Sequence, residues 1–127
     1  MAEPARVWET ELRKNRPSAR IETMCLWSKS NEYLTFNETN VNELSTIDSY
    51  SLNDGHRDSR RRGQRYQVQT ISLNDLLMKH AAPDYIDYLS LDTEGSEYEI
   101  LKAFDFKRFT IGIITIEHNF TQTKLDF

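Results

Sequence analysis

The sequence predicts an α/β fold, a mostly parallel sheet flanked by helices, and three observations lead there. "YIDYLSL" and "TIGIITI" are near-continuous apolar runs of strand length, as strands covered on both faces require. Between them "SEYEILKAF" carries apolar residues at helical spacing. Strand, helix and strand in so short a span make a parallel crossover unit. The chain of 127 residues is about one domain long and can bury a core.

Taken in order, "PARVWETELRK" places Val7, Trp8, Glu11 and Leu12 on one helical stripe, with Pro4 in the first turn, and Pro17 ends the helix by restraining Arg16. "ARIETMCLW" alternates as a strand, Ile21, Thr23, Cys25 and Trp27 on one face, Met24 and Leu26 on the other. "SKSNEYLTFNE" is a turn and a short strand. The following "TNVNELSTIDSYSLNDGHRDSRRRGQ" holds no sustained period, and residues 51–64 are expected to form a loop insertion within a single domain spanning 1–127. Arg57, Arg60, Arg61, Arg62 and Arg65 form a basic run there, which reads first as a solvated hairpin tip or mobile insertion and second as a site for an anionic substrate or RNA. "RYQVQTI" alternates as a strand, and Ser72 caps the helix "SLNDLLMKH" with Asp75 at the third helical position. Ala81, Ala82 and Pro83 end that helix. In the helix after "YIDYLSL", Tyr98, Ile100, Leu101 and Phe104 form the inner stripe.

Charge and composition narrow the function. A net charge of −4 gives no electrostatic reason to expect nucleic acid as the main partner, which usually shows as a basic face. Mean hydropathy is −0.69, and the apolar runs fall far below the roughly 18 residues that span a bilayer, so no membrane segment is expected. The single Cys25 cannot form an internal disulfide and suits a reducing, cytoplasmic location.

Candidate chemistry collects where the two apolar strands end. Asp92, Thr93, Glu94 and Gly95 follow one, Glu117, His118 and Asn119 the other, and open α/β sheets bind ligands beyond the carboxyl ends of their strands. Glu97 and Glu99 read as solvated acids favoured by a helix's positive end. Gly95 supplies backbone angles or close approach. Asp92 faces a ligand or caps the helix. No metal is assigned, because adjacent strand residues such as Glu117 and His118 point to opposite faces. His118 could act as a general base or serve as a hydrogen-bonded structural residue.

"VQTISLNDLL", "IDYLSLDTEGSEYEILKAFDF" and "ITIEHNF" together resemble the FkbM-type methyltransferases, and "AEPARVW" and "ARIETMCLWSKSNEYLTF" extend the likeness across nearly the whole chain. The resemblance implies a Rossmann-like fold, S-adenosylmethionine as cofactor and a small-molecule or sugar hydroxyl as methyl acceptor. It places Glu3 against the cofactor ribose, Trp27 and Ser28 beside the adenine, and Asp92 and Glu94 near the transferred methyl, with Glu117 and His118 lining the crevice. Catalytic roles fall to Asp92, Glu94 and His118, cofactor contacts to Glu3, Trp27, Ser28 and Asp92, and substrate contacts to Glu94, Glu117 and His118. The family's first strand and glycine-rich turn have no counterpart among the four glycines, so the expectation is an incomplete, N-terminally truncated fold that binds the cofactor weakly by itself. Its open sheet edges invite pairing with another chain. The alternative reading is a non-catalytic α/β interaction module that keeps the scaffold alone. Metal-dependent hydrolysis at Asp92 and His118 lacks a close set of three ligands.

Overall fold

A computed structural model describes residues 1–40, 45–50, 58 and 61–117. His118, Asn119, Arg57, Arg60 and most of the expected insertion lie outside these residues.

Helix α1 spans Arg6–Asn15. Its first turn has no side-chain cap from Ala5; instead the Glu3 carboxylate accepts the Ala5 N–H at 2.9 Å. It stops at Arg16, whose φ of −131° and ψ of 60° lie outside the helical region, which the following proline disfavours. The expected inner stripe stays shallow. No α1 residue is buried and Val7 is 46% exposed.

Four strands form one sheet in the order β1 (Cys25–Trp27), β4 (Gln64–Ser72), β2 (Tyr33–Glu38), β3 (Thr46–Ile47). Only β1 and β4 run parallel; β2 is antiparallel to both of its neighbours. The expected mostly parallel sheet is therefore corrected to a mixed one. A six-residue strand paired along its length with β4 needs no crossover helix. The alternation read in β4 holds, with Val68 and Thr70 buried and Gln67 exposed. Helix α2 (Leu73–Lys79) starts where predicted, the Ser72 hydroxyl accepting the Asp75 N–H at 3.1 Å. It ends in a Schellman motif: Ala82 N–H bonds Leu77 O at 2.9 Å and Ala81 N–H bonds Met78 O at 3.0 Å. Ala81 takes the left-handed position at φ 49°.

The second sheet holds β5 (Tyr85–Leu91) and β6 (Thr110–Ile116), parallel and joined through α3 (Glu97–Lys102), which is the predicted crossover unit. Its helix-facing side is packed: Leu91, Ile100, Leu101, Phe104 and Phe109 join Leu26 and Leu73 in one core cluster, and Phe104 stacks on Phe109 at 5.9 Å. Each such side chain contributes about 2 kcal/mol by leaving water. Asn74 ties α2 to the end of α3, donating to Ala103 O at 3.1 Å and accepting from the Asp105 N–H at 3.0 Å. Two expectations fail on this sheet. Tyr98 is 41% exposed rather than on the inner stripe, and the sheet's other face is open, with Tyr88 at 56% and Ile113 at 61% exposed. A second cluster, Ala5, Cys25, Phe36, Ile47 and Val68, forms the core of the mixed sheet.

Candidate functional site

A cavity of about 490 Å³ lies between the two cores, bordered by Met1–Pro4 on one side and by Ile86 and Tyr88–Glu94 of β5 and its turn on the other. Glu3, Asp92 and Glu94 all line it. Three acids that the sequence separates by up to 91 positions are thus brought to one rim, because Ala2 bridges Glu22 ahead of β1 while Asp92 follows β5 directly. Burial pushes the Glu3 carboxyl above its ordinary range, against the Ala5 N–H, and the charges of Glu38 and Asp92 add to the rise.

The turn after β5 is built with care. Glu94 sits at φ 56° and Gly95 at φ 132°, so the backbone folds back on itself before α3. A side chain on Gly95 would come within 2.9 Å of the Tyr50 ring. Thr46 Oγ1 donates to Glu94 O at 3.1 Å, and Glu97 accepts the N–H groups of Thr93 at 2.9 Å and Gly95 at 3.1 Å. Glu97 is 1% exposed, which overturns its reading as a solvated acid. Its carboxylate takes up amides that the tight turn would otherwise bury unbonded. The acid two residues after a glycine was visible in the sequence; that it turns inward was not.

Glu117 stands just beyond Ile116, where β6 has ended, so strand alternation no longer directs its side chain away. Carboxylate oxygens of Asp92, Glu97 and Glu117 lie within 4.8 Å of one another. The expectation that no close set of three ligands exists is corrected accordingly. Such a cluster can share a hard divalent cation or a proton. Burial, a hydrogen bond with Asp92 and the charges of Glu94, Asp92 and Glu97 raise Glu117 to about 7. It therefore holds or yields a proton near neutrality.

Trp27 and Ser28 do not line the cavity. Trp27 meets Tyr50 edge-on at 6.2 Å, and the Tyr50 ring lies against the Gly95 turn. Cys25 does line it, buried, its thiol pushed up to about 12 by burial and the Glu3 charge, and so unreactive. Beside the site, Tyr66 donates to Glu38 at 2.7 Å under the Arg6 guanidinium, which lies 4.0 Å from the ring centre.

The family model for the methyltransferase FkbM domain matches residues 3–127, a span that includes Glu3 and the whole of both sheets. The chain belongs to the FkbM methyltransferase family. Neither the curated proteins nor the solved structures compared with it gave a match. Within the FkbM domain the acidic turn and the rim of the cavity occupy the carboxyl ends of the chain segments, as the α/β rule requires.

Proposed function

We propose that the chain carries the cofactor-facing part of an S-adenosylmethionine-dependent methyltransferase that acts on a hydroxyl oxygen of a small molecule or sugar, within a Rossmann-like arrangement. The observation that carries this reading is the convergence of Glu3, Asp92 and Glu94 on one cavity, with Glu117 beside Asp92. The residues fit a cationic cofactor: Glu3 and Glu117 are both raised in part by neighbouring acids, so the rim holds negative potential that a positive ligand relieves.

Glu3 keeps one carboxylate oxygen on the Ala5 N–H, leaving the other for a ribose hydroxyl. Asp92 and Glu94, which line the same cavity, would stabilise the positive charge of the bound cofactor. S-adenosylmethionine, when bound, supplies a methyl group on a positively charged sulfur. A hydroxyl that takes up a methyl group must give up its proton; Asp92 lines the cavity and would meet it first, and Glu117, raised to about 7 beside Asp92 but not itself lining the cavity, would share that proton near neutral pH. Trp27 and Ser28, which stand off the cavity, are left out of the cofactor contacts proposed here.

The test is transfer of labelled methyl from S-adenosylmethionine to a panel of sugars and small alcohols. Wild-type turnover above background, abolished in Asp92→Asn and reduced at pH 7 in Glu117→Gln, supports the reading. Turnover indifferent to both substitutions overturns it.

The split into two sheets favours a second reading, an interaction module that binds through its edges.

A further inference from the structure

The acidic turn is held from two directions that fix different things. Glu97 accepts the Thr93 and Gly95 N–H groups, and Ser96 Oγ bonds Thr93 Oγ1 at 2.8 Å. These partners belong to the turn or to the start of α3, so they shape the loop without tying it to the mixed sheet. The second hold comes from that sheet. Thr46 of β3, 1% exposed, directs its hydroxyl to Glu94 O at 3.1 Å and to Thr93 O at 3.4 Å. The Tyr50 ring, from the helical turn Asp48–Tyr50 that follows β3, lies against Gly95.

Glu94 is the residue that needs this support. At φ 56° it holds a left-handed angle that disfavours any residue with a side chain and persists only where surrounding contacts enforce it. Thr93 O and Glu94 O stand on either side of the Glu94 Cα, so their convergence on one hydroxyl fixes the rotation between them. Thr46 is itself well anchored. It pairs with Asn37 while Ile47 pairs with Phe36, and Ile47 and Phe36 share a buried cluster with Ala5, two residues beyond Glu3. Its neighbours Ser45 and Ile47 line the cavity together with Glu3 and Glu94. The Glu3 and Glu94 sides of the rim are thus referred to one packed cluster, with Thr46 as the link.

We propose that Thr46 is a positioning residue for the rim: its hydroxyl keeps Glu94 left-handed and so sets the spacing between the Glu3 and Glu94 carboxylates. The consequence for ligands rests on the reading of this rim as the seat of S-adenosylmethionine, whose ribose and sulfonium must be met by acids at matching positions. Released from Thr46, Glu94 relaxes to an ordinary backbone angle and its charge swings away from the sulfur. The Glu3 contact with the ribose stays.

Thr46→Val removes the hydroxyl at nearly equal size, and Thr46→Ser keeps it. In the ligand-free full chain, the one-bond Cα–Hα coupling and carbon shifts of Glu94 report its backbone angle. The left-handed signature is expected in wild type and Thr46→Ser and lost in Thr46→Val. Glu94→Asn guards against simple unfolding: asparagine accepts the left-handed region by itself, so the signature at this position should survive even combined with Thr46→Val. Calorimetry then compares S-adenosylmethionine with S-adenosylhomocysteine. The preference for the charged ligand should shrink about threefold in Thr46→Val and persist in Thr46→Ser. Affinity for S-adenosylhomocysteine should stay within about twofold, whereas general loosening would weaken both ligands alike. An unchanged Glu94 angle in Thr46→Val, a serine variant that behaves as the valine one does, or parallel loss of both affinities overturns the proposal. A wild type with the left-handed signature but no preference between the ligands overturns the reading of the rim instead, and the hold of Thr46 on the turn stands or falls on the Glu94 signals alone.

Discussion

Neutralising Glu117 should make the protein more stable at alkaline pH and leave it unchanged in acid. Its carboxyl is raised from 4.5 to about 7, first by burial and then by Asp92 and the charges of Glu94 and Glu97. A carboxyl raised on folding binds its proton more tightly in the native state, so its contribution is complete below about 4.5 and disappears as pH rises through about 7. At ~1.4 kcal/mol per pH unit the full shift amounts to roughly 3 kcal/mol. Glu117 is only half-buried, and solvent screening reduces the net effect to about 1 kcal/mol. Glu117→Gln keeps a neutral donor toward Asp92, so at pH 8 it should unfold about 1 kcal/mol later than wild type in urea, or roughly 4 °C higher. At pH 4.5 the two curves should coincide. High salt should shrink the difference, because repulsion among exposed acids is screened. Parallel stability profiles from pH 4.5 to 8 would refute the reasoning.

Other substitutions follow from the backbone and from Glu22, a buried acid away from the cavity. Ala81→Gly should stabilise by about 1 kcal/mol in thermal unfolding, since Ala81 holds a left-handed angle at the end of α2. Gly95→Ala should cost about 1–3 kcal/mol, because it meets the Tyr50 ring at φ 132°. Glu22 is lowered overall despite its burial, through Lys79 Nζ at 2.6 Å, the Met24 N–H and His80. Its contribution is present above 4.5 and lost as pH falls below that, opposite in sign to Glu117, so Glu22→Gln should flatten the acid limb of the stability profile and lower stability at pH 7 by about 2 kcal/mol. Binding of a cationic ligand should draw protons off Glu117, and calorimetry at pH 7 in buffers of different ionisation heat should detect their release.

Local signals in the sequence were enough to place β4, α2 and the crossover from β5 to β6. Val68 and Thr70 alternate with glutamines, Ser72 caps an apolar stripe, and two apolar strands flank a helix. Partner choice was not local. Nothing in "EYLTFNE" distinguishes a strand that pairs antiparallel with β4 from one that continues a parallel sheet. Tyr98 illustrates a related limit. Helical spacing admits it to the inner stripe, but in a helix of six residues the phase is decided by what the turn needs, and the turn needs Glu97 inside. The rim itself was legible in part. Asp92 and Glu94 declared themselves as acids beyond an apolar strand, and Glu3 joined them through the family resemblance, whereas the inward turn of Glu97 and the clamping by Thr46 and Tyr50 depend on contacts spanning more than forty positions.

The proposed role of the rim made by Glu3, Asp92 and Glu94 is to receive a positive sulfur. The direct measurement is an amide-shift titration comparing S-adenosylmethionine with S-adenosylhomocysteine, which lacks the sulfonium charge. Shifts are expected at Glu3, Asp92 and Glu94, with several-fold tighter binding of the charged form, about 1 kcal/mol, and with the preference lost in Asp92→Asn. Equal affinity for the two ligands, or shifts confined to other residues, would contradict it.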